Sequence, residues 1–324
     1  MIVTVTLNPS VDKVYWVDSL PMCDTTQEVF LTRAKRSATS AGGKGVNMSV
    51  FFSQMGLENV AMGFVGGHTG HVVVRDLRDR EVTTNFVWTR EETRTNVTVL
   101  ERRGETVVPM LINEPGPTIS PSDLDRLIRR YRRMLHRAEW VVLAGSLPQG
   151  VDDGIYARLT EMAHDAGVRV ILSAYGDALE RGICAHPYIV KPDTREHRVL
   201  MGVELSSREA IIEAGRKVVG SGAGMAIISH EVTGDIVVAE EAAWEITTSV
   251  STRQFRNVVG ADDIFLAGIV YKLVRGESVE NALRYGFAAG IASAECDERV
   301  CSNAEQIQEE LTRAAVKRIE REGE

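Results

Sequence analysis

Two adjacent carboxylates, Asp262 and Asp263, follow a Gly-Ala turn in Asn257–Gly276, NVVGADDIFLAGIVYKLVRG. Behind them Phe265, Leu266, Ile269, Val270 and Leu273 recur at helical spacing, which puts both aspartates in the first turn of a helix, just after Gly260. A helix start leaves backbone N–H groups unpaired and carries partial positive charge, so it suits a phosphate or a developing anion. A carboxylate there can take a proton from an attacking hydroxyl. It can equally well cap the helix and do nothing more. A second stretch, Ala41–Gly56, begins AGGKGVN. Gly42, Gly43 and Gly45 let backbone approach a ligand closely. Lys44 offers a charge for a phosphate or hydroxyl, and Asn47 offers an amide in the first turn of the helix that follows. No Ser or Thr follows the lysine, so this is not a Walker A loop, and a turn serving only strand-to-helix packing is the alternative. Three more positions carry usable chemistry. Asp12, just after Asn8-Pro9-Ser10, is either a solvated turn carboxylate or an acceptor for ligand hydroxyls at a strand's carboxyl end. Arg94, inside Thr93-Arg94-Thr95-Asn96, is either a bidentate phosphate contact or an ordinary surface arginine. Asp193 and Glu196, after Lys191-Pro192, either orient a hydrated metal through water or cap a helix.

The elements that must position these residues follow from periodicity. Ile2–Leu7 reads as a strand delivering the Asn8-Pro9-Ser10 turn. Lys13–Thr39 and Val82–Leu111 contain short alternating pieces that read as exposed strands outside the main sheet, and Gly63–Gly70 reads as a glycine-dense turn. A helix runs from Ser120 to about Arg137, with Leu124, Leu127, Ile128, Tyr131, Met134 and Leu135 on its apolar face. From Glu139 strand and helix alternate, the pattern of a parallel sheet: Trp140–Ala144, a helix over 152–166, Val168–Leu172, Tyr188–Val190 and Met225–Ser229. Ser229–Gly234 turns the chain back into Asp235–Ala239. After the aspartate-bearing helix come Ser278–Glu295 and a terminal helix over Ala304–Glu320. Gly220-Ser221-Gly222-Ala223-Gly224 lacks the final glycine of a dinucleotide fingerprint, so a NAD site has no motif support.

Composition narrows the class further. With 324 residues, 44% hydrophobic and 25% charged, the chain is an ordinary globular protein long enough for a large core. A formal net charge of -8 argues against a general nucleic-acid binder. Cys23, Cys184, Cys296 and Cys301 are scattered and form no CxxC pair, so they read as reduced thiols rather than a disulfide framework or zinc site. MIVTVTLNPS lacks the basic start and long apolar run of a signal peptide, and no other run is long enough to span a membrane. A soluble, cytoplasmic protein is the expectation.

In order along the chain, TVTLNPSVD (4–12), AGGKGVN (41–47), TRTN (93–96), INEPGP (112–117), VVLAGSLPQGV (141–151), IVKPD (189–193) and VGADD (259–263) together resemble the ribokinase-like, pfkB-type carbohydrate kinases. They resemble most the branch of 1-phosphofructokinase and tagatose-6-phosphate kinase. The resemblance covers nearly the whole chain. It implies an α/β, three-layer sandwich with a mostly parallel central sheet, forming one domain over 1–324, with a small β-sheet lid from about 13–39 and 82–112. It also implies a homodimer through that lid. The activity implied is transfer of the γ-phosphoryl of ATP, with Mg²⁺, to a hydroxyl of a ketohexose phosphate. Asp263 matches the family's catalytic base, and Gly260, Ala261 and Asp262 match its Gly-Ala-Gly anion hole. Asp12, Gly42, Gly43 and Asn47 match sugar-hydroxyl positions, and Lys44 and Arg94 match positions near the sugar phosphate. Lys191, Asp193, Ser229 and Gly234 fall on the nucleotide side. Asp193 and Glu196 stand where the family has Asn-x-x-Glu, which helps place Mg²⁺ through water. No nucleic-acid or membrane partner is implied.

Departures from the pattern gather on the nucleotide and phosphate side. Asp262 stands where the family has glycine, and Asp193 where it has asparagine. The Ser-Leu-Gly-x-x-Gly turn is here Ser229-His230-Glu231-Val232-Thr233-Gly234, with only its ends retained. Like charges about 4 Å apart at an effective dielectric of about 20 repel by roughly 4 kcal/mol, enough to slow transfer greatly at 1.36 kcal/mol per tenfold. The alternative expectation is therefore a catalytically impaired sugar-phosphate-binding protein of the same fold.

Overall fold

The computed structural model describes residues 1–20, 31–104, 106–194, 198–231, 234–251, 254–297, 300 and 303–319, the side chain of Glu231 excepted. Strands β1 (Ile2–Thr6), β2 (Ser10–Val17) and β3 (Arg36–Gly42) precede helix α1 (Lys44–Gln54). Then come β4 (Asn59–Gly66), α2 (Gly67–Asp79), β5 (Thr83–Thr84), β6 (Val87–Thr89), β7 (Arg94–Arg103) and β8 (Thr106–Asn113). The middle of the chain alternates: α3 (Pro121–Leu135), β9 (Trp140–Ala144), α4 (Ile155–Asp165), β10 (Arg169–Ser173), α5 (Gly176–Ile183) and β11 (Ile189–Val190). Two short strands, β12 (Val199–Leu200) and β13 (Val203–Glu204), lead to α6 (Arg208–Gly220), and β14 (Met225–Glu231), β15 (Gly234–Ala239) and β16 (Ala243–Thr248) form a meander. Helices α7 (Ala261–Val274), α8 (Val279–Ala294) and α9 (Ala304–Glu310) precede a last strand, β17 (Ala314–Ile319).

The large sheet runs β17-β16-β15-β14-β11-β10-β9-β1-β4-β5, with β6 also on β4. It is parallel from β14 through β5 and antiparallel over β14–β17. Strands β1, β4 and β9 are buried at every position, as expected of continuous apolar strands covered on both faces. One face packs on α1, α2, α7 and α8 through Phe51, Leu77, Phe265 and Ile291. The other packs on α3, α4, α5 and α6 through Tyr131, Leu159, Leu179 and Ile211. The result is the expected three-layer α/β sandwich. Helices α7 and α8 approach so closely that a Cβ on Gly268 would stand 2.7 Å from the Gly286 Cα.

A separate four-stranded sheet, β3-β2-β7-β8, is the small sheet expected beside the large one. Its second segment begins later than the 82–112 range: Thr83–Thr84 and Val87–Thr89 pair with β4 of the large sheet instead. Part of the first range, residues 21–30, lies outside the described residues.

Two expectations needed tertiary correction. Gly63–Gly70 is not only a turn, because Gly67 opens the helix α2. The terminal helix expected to reach 320 stops at Glu310, and Ala314–Ile319 instead pairs antiparallel with β16. Helix propensity across Ala314–Ile319 is a weak prior, and the open edge of β16 offers a full hydrogen-bond ladder. Among the described residues, no helix is long and apolar enough to cross a membrane.

Candidate active site

The site lies where the carboxyl ends of β1, β9, β11 and β14 meet the N-termini of α1 and α7, the usual ligand crevice of an open α/β sheet. Both helices start on a glycine at positive φ. Gly43 (φ 118°) precedes α1, and Gly260 (φ 91°), in the left-handed region, precedes α7. The Asp263 N–H donates to the Gly260 carbonyl (3.0 Å) and the Ala261 N–H to the Val258 carbonyl (3.3 Å).

Asp263 is 7% exposed. Its Oδ2 accepts from Asn47 Nδ2 at 2.7 Å, and its Oδ1 stands 3.5 Å from Lys44 Nζ. Lys44 also lies 3.0 Å from the Asp193 carboxylate, so one ammonium spans the strand-11 turn and the start of α7. Asp193 is fixed by its own backbone, whose N–H donates to Ala174 (2.9 Å) in continuation of the β10–β11 pairing.

Asp262 takes a different direction. Successive helical residues are about 100° apart, and while the Asp263 side chain is 8% exposed, that of Asp262 is 46% exposed. It lies 3.7 Å from Lys191 Nζ. Lys191, with a side chain 5% exposed, also donates to Ser229 Oγ (2.9 Å), sits 3.4 Å from Asp235, and faces the ring of Phe265. Ser229 in turn donates to Asp235 Oδ1 (3.0 Å). Burial pulls the Lys191 ammonium toward neutrality, but the carboxylates of Asp262, Asp235 and Asp193 more than reverse this and hold it above its ordinary value. Burial pushes the Asp235 carboxyl up, against the opposing pull of Lys191.

On the lid side, Asp12 is 1% exposed and accepts from the Ser10 hydroxyl at 2.7 Å, while Asn96 Nδ2 donates to Ser10 Oγ at 3.0 Å. The β2–β7 register sets this up by placing Asp12 opposite Asn96. A Cβ at Gly42 would overlap the Asp12 carboxylate, so the glycine is there for space. Arg94 donates to the Glu114 carbonyl (3.1 Å) on the turn after β8. Asn8 Nδ2 donates to the Pro115 carbonyl (2.9 Å). Three buried amide oxygens of the site, Asn8 Oδ1, Asn47 Oδ1 and Asn96 Oδ1, have no hydrogen-bond partner among the described residues.

The expected residues thus fall into three connected groups: Lys44, Asn47, Asp193 and Asp263; Lys191, Ser229 and Asp262; Asp12 and Gly42 with Ser10 and Asn96. Gly234 opens β15 beside Asp235, and His230 lies within β14, whereas Glu196 is outside the described residues. Sequence reasoning passed over Asp235, Ser10, Asn96 and Asn8. Ser10, Asn96 and Asn8 stood inside recognised motifs and were legible there, while Asp235 read only as the first residue of a strand. Asp193 presents oxygen donors alone, which suits a hard divalent cation carried on phosphates; such a cation needs only one or two protein carboxylates.

Comparison with known proteins points one way. A family model described as pfkB family carbohydrate kinase matches residues 6–303. The chain is 32% identical over 319 residues to a 1-phosphofructokinase of Bacillus subtilis (strain 168), covering 98% of this chain and 100% of that one. It is 31% identical over 295 residues to a D-tagatose-1-phosphate kinase of Bacillus licheniformis, covering 91% and 92%. The crystal structure of a possible 1-phosphofructokinase of Thermotoga maritima superposes with a TM-score of 0.89 at 31% identity, covering 99% of this chain and 100% of that one.

Proposed function

Because the chain belongs to the pfkB family of carbohydrate kinases, we propose that it transfers the γ-phosphoryl of ATP to a hydroxyl of a ketohexose phosphate, as a 1-phosphofructokinase does. The observation that carries this reading is Asp263, buried at the start of α7 and oriented by Asn47 and Lys44 from α1. In that role Asp263 accepts the proton of the attacking hydroxyl. Asn47 fixes its carboxylate, and the α7 N-terminus faces the charge that develops on the phosphoryl group. The unpartnered oxygens of Asn8, Asn47 and Asn96 suit a ligand rich in hydroxyl donors, since a buried acceptor left unpaired costs about 1–3 kcal/mol. Asp12 takes a further hydroxyl. Arg94 and Lys44 supply positive charge for the sugar's own phosphate.

Lys191, Asp193, Ser229 and Gly234 form the nucleotide side of this reading. Mg²⁺ would be placed through water by Asp193 and Glu196, the latter outside the described residues, and it would neutralise charge on the nucleotide phosphates. Most of the rate then comes from positioning and electrostatics. The impaired-binder alternative rests on Asp262, Asp193 and the altered His230-Glu231 turn; Lys191 lies against the first of these and Lys44 against the second, which favours the kinase reading.

The test is ADP release by purified protein with Mg-ATP across fructose 1-phosphate, tagatose 1-phosphate, tagatose 6-phosphate and fructose 6-phosphate, with Asp263→Asn alongside. Turnover with one sugar phosphate, lowered by about a hundredfold or more in the variant, supports the kinase and names its acceptor. No turnover with any of them, while a sugar phosphate still raises the melting temperature, would favour the binding protein.

A further inference from the structure

Asp262 sits at the third position of the turn that faces the transferring group, where a carboxylate opposes phosphoryl transfer, yet it is countered from an unexpected quarter. Its carboxylate, on a side chain 46% exposed, lies 3.7 Å from Lys191 Nζ. Lys191 is itself immobilised: its side chain is 5% exposed, and its ammonium is held by Ser229 and Asp235 and faces the Phe265 ring, 5.4 Å from its centroid. Its backbone N–H donates to Leu172 (2.9 Å), so the residue continues the buried β10–β11 pairing. A lysine fixed at the end of β11 and an aspartate on a helix start are thus joined across the crevice.

We infer that Lys191 is a positioning residue that draws the Asp262 carboxylate to the side of the crevice and cancels its charge, leaving the α7 N-terminus open to the triphosphate. This deepens the kinase reading and rests on it. Lys191 is held by Ser229 and Asp235 with its side chain 5% exposed, while that of Asp262 is 46% exposed, so the lysine is the more deeply fixed member of the pair. Lys44 does the same for the other acidic replacement, standing 3.0 Å from Asp193. Asp193 and Asp262 therefore each have a lysine of this chain against them.

The experiment is a double-mutant cycle on Lys191→Met and Asp262→Gly, read twice: as kcat with the best sugar phosphate, and as affinity for magnesium adenosine β,γ-imidotriphosphate by calorimetry. If Lys191 acts through Asp262, its loss lowers both readouts at least about tenfold more in the parent than in the Asp262→Gly background. Asp262→Asn, which removes only the charge, should relieve the Lys191→Met defect in the same way. Equal losses in both backgrounds would overturn the inference and mean that Lys191 binds the phosphates directly. Should Lys191→Met fail to fold because Asp235 is left buried without its cation, Lys191→Met/Asp235→Asn replaces it in the cycle. A parent without turnover but with coupled triphosphate binding would sink the kinase reading and leave the Lys191–Asp262 link standing.

Discussion

At the scale of single residues, the site is built from short side chains whose placement depends on neighbours with none. Asp12 occupies the volume that any side chain at Gly42 would need. Gly42→Ala should therefore push the carboxylate off its Ser10 bond and weaken sugar binding, while Asp263 and its Asn47 bond stay in place. The expected outcome is a rise of about tenfold in KM for the sugar phosphate with kcat changed far less, measured by steady-state kinetics. A fall confined to kcat would mean that Asp12 serves the chemical step instead. The Asn8, Asn47 and Asn96 oxygens sharpen the same point, since their ligand has to bring hydrogen-bond donors to acceptors that the fold leaves open.

Among the elements, α2 shows how a helix with no side-chain cap of its own is finished by a distant loop. Glu92, from the turn before β7, accepts the N–H groups of His68 and Thr69 (both 2.9 Å) and the Thr69 hydroxyl. The Thr69 hydroxyl bond, then the backbone bonds from Thr69 and His68, lower its carboxyl from 4.5 to about 2. A depressed folded-state value means that this stabilisation is full above about 4.5 and is lost as pH falls toward about 2. Glu92→Ala should lower the melting temperature near neutrality, and the gap from the parent should narrow as pH drops from about 4.5 toward about 2, followed by calorimetry. A gap constant over that range would assign the loss to packing rather than to the charge.

For the whole molecule, the lid leaves an unfinished surface. Val108, Met110, Leu111 and Ile112 on β8 are 36–57% exposed, and β8 is an edge strand of the small sheet. Contiguous exposed apolar side chains on an edge strand mark an association surface. A homodimer through this sheet is the assembly we propose. Light scattering should give twice the chain mass for the parent and a monomer for Met110→Asp/Ile112→Asp. A monomeric parent, or a dimer untouched by the substitutions, would move the interface elsewhere or abolish it.

What the sequence determined by itself was the order of strands and helices around the crevice, and with it the family. Continuous apolar runs such as Ile2–Leu7 and Trp140–Ala144 can be buried on both faces only in a parallel sheet, and the glycines before Lys44 and Asp262 mark helix starts whatever surrounds them. The sequence also showed that Asp193 and Asp262 add negative charge. Pairings between residues far apart in the chain were beyond it: Lys44 with Asp193, and Lys191 with Asp235 and Asp262, are joined only once the sheet is assembled. The same holds for β17, whose residues read locally as helix until the free edge of β16 claims them. Local propensity is worth tenths of a kcal/mol per residue, so the partner available in space decides. In the site, that partner sets each of two lysines between two carboxylates, Lys44 between Asp193 and Asp263 and Lys191 between Asp235 and Asp262.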